Sequence, residues 1–415
     1  MGGALILAHL ADLHLGYRAY HRLAPGGINA RERDVALAFR AAVDRMIELG
    51  VDLVLVAGDV FHTVRPSNSA IADAFRQFAR LRAGLPKAPV VIIAGNHDSP
   101  RSVETGSILR LFREIPGVVV VDDEPRAVYL EEIDTSVLCL PHNALATGER
   151  VAIEPDPDAG TNILMLHGTV TGGGVEEKLR YVSEYGGARV EASEIRPEQW
   201  DYVALGHYHI AIELAPNMWY AGGIERTSTN IWAEAEGEKG FLTYDTASRT
   251  ATFHPLPTRP VIDLPRVSAR VPPAERAGVG APHYLSAEEI DARIRELVAS
   301  VPGGIAGKIV RLVIQDVPRE LFRELDHRQI RAYKAEALHF HLDARRPEVR
   351  RIVGYGAPMR RLTLEEEVEG FLTRHWQRSS PEIDPQRLVA LARRYLAEAG
   401  GGEPEDALVQ AESGP

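Results

Sequence analysis

Apolar runs alternate with amphipathic segments in the N-terminal part of the chain. Three runs rich in Val, Ile and Leu are typical of buried parallel strands: residues 5–8, 51–56 and 89–93. Between them, residues 35–49 and 69–82 carry apolar side chains at helical spacing, and Gly50 suits the end of the first helix. This order predicts a parallel sheet with helices on its faces.

After residue 121 the pattern changes to short apolar strands with few helices between them. The predicted strands are residues 127–130, 136–140, 162–166, 202–205, 219–221, 240–244 and 250–254. We therefore expect a second, mostly antiparallel sheet packed on the first. The predicted fold class is α/β, a sandwich of two mixed sheets flanked by helices.

Three prolines between residues 255 and 260 suggest that a domain ends near there. The catalytic domain is therefore placed at residues 1–255. Residues 256–344 are expected to form a small α+β domain, with strands at 262–267 and 308–315 and helices at 287–300 and 320–334. We place the end of this domain near Asp343.

An arginine-rich linker, residues 345–361, separates that domain from a predicted helix pair at residues 362–400. Both helices begin with a cap and carry an apolar stripe. The stripe contains Leu364, Val368, Phe371, Leu388, Leu391 and Tyr395. One interpretation is that this stripe packs on a partner protein. The other is that it packs on the chain's own core or on a second copy of the chain. Residues 401–415 have the composition of a disordered tail.

Composition indicates a globular protein, since 45% of the 415 residues are hydrophobic and 25% are charged. The single cysteine, Cys139, excludes an internal disulfide framework and a cysteine zinc site, which favours a reducing compartment. No signal peptide is expected, and no run approaches the roughly 20 apolar residues of a membrane span. We expect a cytoplasmic protein that does not enter a membrane.

A net charge of −11 argues against binding to nucleic acid, unless cations neutralise part of the carboxylate charge. Residues suited to such cations follow several of the predicted strands, where ligands bind in open α/β sheets. They are Asp12, His14, Asp59, Asn96, His167, His207 and His209. Carboxylate, amide and imidazole groups without thiolate suit Mn²⁺, Fe²⁺ or Zn²⁺.

Asp59 is the predicted bridging ligand of a two-metal site, because it ends the central strand and has two carboxylate oxygens. Two divalent cations at such a site promote in-line attack on a phosphate ester. Each motif alone has an ordinary structural explanation, such as a turn at Asn96 or a hydrogen-bonded core histidine at His167. All the motifs together, each at the end of an apolar run, favour the metal site.

The order Asp-x-His, Gly-Asp, Gly-Asn-His-Asp, His, Gly-His-x-His resembles that of the calcineurin-like metallophosphoesterases. Three further segments resemble the SbcD-type nucleases of double-strand-break repair: HLADLHLGY at 9–17, AGDVFH at 57–62 with RPS at 65–67, and AGGIER at 221–226. The resemblance covers residues 5–260. Protein phosphatases of the superfamily carry Asp-Arg-Gly near the position where this chain has His62-Thr63-Val64, which counts against that branch.

The resemblance implies a metallophosphoesterase sandwich with two Mn²⁺ ions, or Fe²⁺, Zn²⁺ or Mg²⁺ in their place. One ion would bind to Asp12, His14, Asp59 and His209, and the other to Asp59, Asn96, His167 and His207. His97 would stabilise the transition state or protonate the leaving oxygen, with His62 as a second catalytic candidate. Candidate substrate contacts are Tyr17, Arg65 and Arg101.

The implied function is that of a DNA exo/endonuclease that processes ends in double-strand-break repair with an SbcC-like coiled-coil ATPase. The resemblance also implies a homodimer, a DNA-binding capping domain at residues 256–344 and an ATPase-binding helix pair. A small-molecule phosphodiesterase, acting for example on cyclic nucleotides, is the alternative enzyme. A scaffold with a vestigial metal site is a third possibility, against which the complete ligand set argues.

Overall fold

The structure is a computed structural model that describes residues 3–100, 106–147, 152–175, 187–271, 283–347, 368–372 and 384–399. The chain divides into two units, residues 1–348 and residues 349–415. Among the described residues, three sheets of three or more strands lie in the first unit, and a pair of helical segments lies in the second.

Four parallel strands form most of the first sheet: β1 (Ile6–Leu10), β2 (Leu53–Ala57), β3 (Val90–Ile93) and β4 (Val118–Val121). β13 (Gly240–Asp245) pairs with β1 in the antiparallel sense, and β14 (Thr250–Pro255) pairs with β13. The sequence placed these last two strands in the second sheet, and that prediction was wrong. The alternation of apolar and polar residues along a strand shows which face is buried, but it does not show which strand pairs with it.

Two helices cover the outer face of this sheet, α1 (Ala30–Leu49) and α2 (Asn68–Gly84). The α1 helix begins earlier than predicted, because the Asn29 side chain accepts from the amides of Arg31 and Glu32. It ends at Gly50, which has the left-handed conformation expected of a C-cap. Phe39 and Phe78 pack between the helices and the sheet.

The second sheet contains four parallel strands: β6 (Thr135–Leu140), β7 (Thr161–His167), β10 (Tyr202–Gly206) and β12 (Met218–Tyr220). Its antiparallel edges are β5 (Arg126–Leu130) and β11 (Ile212–Ala215). The expectation of a mostly antiparallel sheet is therefore wrong. Residues 141–160 connect the end of β6 to the beginning of β7, and residues 168–201 connect the end of β7 to the beginning of β10. Parallel pairing requires such long connections.

The two sheets pack face to face through apolar side chains such as Leu7, Leu55, Ile163 and Tyr202. The fold class, two mixed sheets flanked by helices, is confirmed. Short elements after the second-sheet strands are α3 (His142–Ala146), the paired strands β8 (Thr169–Thr171) and β9 (Arg189–Glu191), and α4 (Ala192–Ile195). Short 3-10 helices lie at Ile108–Glu114, Glu131–Ile133, Pro197–Gln199 and Ile231–Glu234.

A third, parallel sheet lies within the C-terminal part of the first unit. Its strands are β15 (Val261–Asp263), β16 (Val267–Ser268), β17 (Ile309–Gln315) and β18 (His339–Ala344). Its helices are α5 (Ala287–Ala299), α6 (Arg319–Glu324) and α7 (His327–Glu336). The predicted helix at 320–334 is divided because Asp326 caps α7, and β18 was not predicted.

In the second unit, residues 368–372 are helical and α8 spans Pro385–Ala399. Glu369 and Arg393 join the two segments at 2.5 Å. Leu364 lies outside the described residues, whereas Phe371, Leu391 and Tyr395 are 56%, 42% and 57% exposed. None of the helices described here is long and apolar enough to cross a membrane.

Candidate metal centre

The predicted ligands lie beyond or at the carboxyl ends of five strands, three in the first sheet and two in the second. Asp12 and His14 follow β1, Asp59 follows β2 and Asn96 follows β3; His167 ends β7, and His207 and His209 follow β10. All are buried except Asn96, which is half-buried. The face-to-face packing of the sheets thus brings residues from distant parts of the sequence to one place.

The side chains form overlapping groups that share Asp12. Asp12, His14 and His209 have one ligand atom each within 4.8 Å of the others, and so have Asp12, Asp59 and His167. The Asp59 Oδ2 atom is 3.8 Å from His14 Nε2 and 3.5 Å from His167 Nε2. Asp59 therefore lies between the two groups that the resemblance assigned to different ions.

The remaining predicted ligands lie at the edges of these groups. Asn96 Oδ1 is 3.0 Å from His167 Nε2. The His207 ring lies 5.5 Å from the ring of His167, and the His207 amide donates to the Asp12 carboxylate at 3.1 and 3.2 Å. Among the described residues, the His207 ring is in none of the three groups of possible ligand atoms, of which the third is His14, His62 and His97.

Three of the imidazoles present Nε2 to the site because Nδ1 faces another group. His167 Nδ1 is 2.8 Å from the Ala57 carbonyl, and His14 Nδ1 is 3.3 Å from the His62 ring. His209 Nδ1 is 3.6 Å from Glu234. An imidazole that donates from Nδ1 carries its lone pair at Nε2, where it can bind a cation.

The His14 and His209 Nε2 atoms are 2.9 Å apart, a separation typical of neighbouring ligands on one cation. Two lone pairs at this distance repel each other unless a cation or a proton lies beside them. The nitrogen and oxygen donors, without thiolate, fit Mn²⁺, Fe²⁺ or Zn²⁺. The residues present therefore suit the divalent ions that the sequence predicts.

The charges of the site point to the same conclusion. Burial raises the pKa of Asp12 to about 6. Burial opposes protonation of His167, but the carboxylates of Asp59 and Asp12 raise its pKa to about 9. Burial also lowers the pKa of His14 well below its ordinary value. Without cations, a proton on His167 balances the buried negative charge, which is the compensation that a divalent cation supplies.

Backbone strain accompanies this arrangement. Asp12, His14 and Asp59 have φ values of 53°, 48° and 53°, and His207 has 114°. Non-glycine residues with such angles cost about 1–3 kcal/mol each and persist where the surroundings hold them in place. A side chain at Gly95 would put its Cβ 2.1 Å from Asp59 Oδ1, so the turn after β3 needs glycine.

His97 and His62 lie half-buried at the rim of the site, with stacked rings 5.3 Å apart. His97 Nδ1 is 2.8 Å from the His62 carbonyl, and the His97 ring is 4.8 Å from that of His14. Burial lowers the pKa of His62 to about 4. The Tyr17 ring is 4.9 Å from His62.

The other candidate substrate contacts are Arg65 and Arg101. Arg65 is exposed, in the bend that precedes α2. Arg101 lies outside the described residues.

Sequence reasoning gave no role to Asp98, which is fully buried beneath the site. Its carboxylate accepts from the amides of Val60, Phe61 and Gly95 at 3.0, 2.9 and 3.2 Å. It thereby joins the turn after β2 to the turn after β3. The sequence feature that could have indicated this role is the position of Asp98 at the end of the Gly-Asn-His-Asp motif.

Comparison with curated proteins finds relatives named DNA double-strand break repair protein Mre11. The chain is 29% identical over 205 residues to that of Sulfurisphaera tokodaii, covering 49% of this chain and 48% of the relative. It is 28% identical to that of Sulfolobus acidocaldarius, covering 49% of each chain. It is 34% identical over 110 residues to that of Methanocaldococcus jannaschii, covering 26% and 28%. The alignments thus span about half of these relatives or less.

A family model described as Calcineurin-like phosphoesterase matches residues 5–211. The matched segment holds both parts of Asp12-x-His14, the bridging candidate Asp59 and both histidines of His207-x-His209. The match, the two packed sheets and the cluster of acidic and imidazole side chains agree with one another. Residues 5–211 therefore form a calcineurin-like metallophosphoesterase domain.

Proposed function

We propose that the chain is a metal-dependent DNA exo/endonuclease of the SbcD type that acts in double-strand-break repair. The observation that carries this proposal is the position of Asp59, whose Oδ2 atom is within 4 Å of imidazoles from both ligand groups. The names of the curated relatives support DNA as the substrate. A cytoplasmic location stays a prediction.

Each ion would have four ligands from this chain. Asp12, His14, Asp59 and His209 would hold one, and Asp59, Asn96, His167 and His207 would hold the other. Mn²⁺ is the proposed ion, and Fe²⁺, Zn²⁺ or Mg²⁺ are the alternatives. When bound, the pair of cations would activate a water for attack on phosphorus and stabilise the charge that develops on the phosphate.

The proposed role of His97 is to donate a proton from Nε2 to the leaving oxygen. Its Nδ1 atom donates to the His62 carbonyl, which fixes the orientation of the ring. His62 stacks on this ring and contacts the Tyr17 ring, so both side chains are proposed to shape the position of the substrate. Arg65 and Arg101 are proposed to contact DNA phosphates.

The third sheet and its helices are proposed to act as a DNA-binding capping domain, residues 256–344, beside a nuclease domain at 1–255. A phosphodiesterase acting on cyclic nucleotides would use the same cations and is the alternative. The additional sheet and the C-terminal helices favour the nuclease, because a small substrate needs neither of them.

The C-terminal helices are proposed to bind an SbcC-like coiled-coil ATPase. Phe371, Leu391 and Tyr395 expose large apolar side chains, which is typical of a surface that docks on another protein. A homodimer is also proposed. An open apolar groove lined by Ile71, Phe75 and Leu111 is a candidate surface for that contact.

Cleavage assays with labelled substrates test the proposal. Purified protein, loaded with Mn²⁺, is given single-stranded DNA, double-stranded DNA, a cyclic dinucleotide and a cyclic mononucleotide. We expect cleavage of DNA that stops with EDTA and is lost in Asp59→Asn. Cleavage of the cyclic nucleotides alone would favour the alternative enzyme, and no Mn²⁺-dependent cleavage of any of the four would contradict a phosphodiesterase.

A further inference from the structure

A buried ion pair lies behind His209. Glu234 ends the 3-10 turn Ile231–Glu234, and Lys239 precedes β13. The Glu234 Oε2 and Lys239 Nζ atoms are 2.6 Å apart, and the two side chains are only 4% and 1% exposed. Both residues lie beyond the segment 5–211 that the family model matches, and neither is among the predicted ligands.

This pair contacts His209 at two places. Glu234 Oε1 is 3.6 Å from His209 Nδ1. Lys239 Nζ donates to the His209 backbone carbonyl at 2.5 Å. The opposite edge of the His209 ring presents Nε2 to the site, 2.9 Å from His14 Nε2. The pair therefore bonds to the backbone of one predicted ligand and places a carboxylate beside the Nδ1 edge of its ring.

The carboxylate distinguishes His209 from the other two imidazoles that present Nε2. His167 Nδ1 faces the uncharged Ala57 carbonyl, and His14 Nδ1 faces the ring of His62. A carboxylate that accepts from Nδ1 holds the imidazole in the tautomer with its lone pair at Nε2, and it raises the basicity of that atom.

Structural stability alone does not explain a charged pair at this position. Removing two charges from water costs free energy that their attraction repays only in part, so an apolar pair of similar volume often serves as well. Here the Glu234 carboxylate faces both Lys239 and the His209 ring.

We propose that Glu234, held by Lys239, is a positioning residue that orients His209 and strengthens its bond to one of the two metal ions. This inference rests on the proposed function, since it requires that cations bind at this site. Residues outside the family motifs would thus contribute to the affinity of the site for one ion. Ligands of the other ion, such as His167 and Asn96, are not predicted to depend on Glu234.

Titration calorimetry with Mn²⁺ tests the proposal on the full chain. Glu234→Gln retains an oxygen acceptor but removes the charge, and Glu234→Leu/Lys239→Met removes both charges with little change of volume. We expect one of the two binding steps to weaken by about 10–100-fold, more in the double variant, while the other step is unchanged. The absorption spectrum of the Co²⁺-loaded protein should change for one site only.

Glu225→Gln is the matched control, because Glu225 is a buried carboxylate that pairs with Arg31 at 3.3 Å and not with a predicted ligand. It should retain both binding steps. Two normal steps in both folded Glu234 variants would overturn the proposal, and so would loss of the folded circular dichroism spectrum in both, which would assign the pair to the fold. If the unmodified protein binds no Mn²⁺, the proposed function itself fails.

Discussion

At the scale of single residues, two neighbours on the turn after β3 have different tasks. Asn96 Oδ1 is 3.0 Å from His167 Nε2 and so lies among the predicted ligands. His97 instead bonds through Nδ1 to the His62 carbonyl, and only its backbone amide contacts Asp59, at 2.8 Å. Changes at these positions should therefore separate metal binding from catalysis.

We predict that His97→Ala retains both metal ions and loses roughly 10²–10⁴-fold in turnover, because a general acid contributes about that much. Metal content by elemental analysis and initial rates on labelled DNA measure the two effects. Asn96→Ala is the comparison variant, and it should bind one ion more weakly. Loss of metal from His97→Ala would contradict the role assigned to this histidine.

Asp98 provides a prediction about stability. In Asp98→Ala, the amides of Val60, Phe61 and Gly95 lose a buried acceptor. We expect the free energy of unfolding of the metal-free protein to fall by roughly 2–4 kcal/mol, as for a buried hydrogen-bonding group left without its partner. Urea denaturation measures this change.

Asp73→Ala removes a partly exposed carboxylate on α2 and serves as the control for Asp98, with an expected change below about 0.5 kcal/mol. Equal stability of the two variants would show that Asp98 does not hold the two turns together.

The ligand-type residues could be singled out from the sequence because each follows an apolar run, a pattern that is local. Asp98 and Glu234 were not assigned because their importance comes from contacts across the fold. The carboxylate of Asp98 bonds to residues near position 60, and that of Glu234 faces His209 and Lys239. No local pattern distinguishes such carboxylates from those on the surface.

At the scale of elements, the first sheet's parallel strands and helices were predicted because their strands and helices alternate at regular spacing. The antiparallel prediction for the second sheet was wrong, since short strands with few helices between them suit either direction. α6 and α7 are separate because Asp326 is the N-cap of α7. The apolar residues around Asp326 continue at helical spacing, so the sequence pattern did not show this break.

The prediction for the elements concerns the C-terminal helices. A chain that ends after Gly356 should cleave short DNA nearly as well as the full chain and no longer co-purify with the ATPase, because the helices carry the proposed docking surface. In the full chain, Leu391→Asp should have the same effect on co-purification, since it places a charge in that surface.

Arg387→Ala, which changes an exposed polar position on α8, is the control and should bind the ATPase normally. Full affinity in the truncated protein would contradict the assignment. Unfolding of the truncated protein would place the helices within the core.

At the scale of the molecule, polar contacts join the third sheet to the first. Arg259 binds Asp34 on α1 at 2.5 and 2.6 Å and also donates to the Gly307 carbonyl. Arg22 donates to the carbonyls of Lys334 and Ala335 at 2.9 and 2.8 Å, near the end of α7.

We predict that Arg259→Ala loosens this connection while leaving the metal content unchanged. The free energy of opening of β17 and β18 should fall by about 1–3 kcal/mol, because Asp34 loses a charged partner in a mostly buried place. Hydrogen exchange followed by mass spectrometry measures this, with Arg45→Ala on the surface of α1 as the control. Unchanged exchange in β17 and β18 would show that other contacts suffice.

The most direct test of the two-metal site is anomalous diffraction from crystals of the Mn²⁺-loaded protein. A site that holds two cations should give two manganese peaks about 3.5–4 Å apart, with the Asp59 carboxylate between them. One peak should lie beside His14 and His209, and the other beside Asn96 and His167. A single peak, no peak, or two peaks that do not share Asp59 would contradict it.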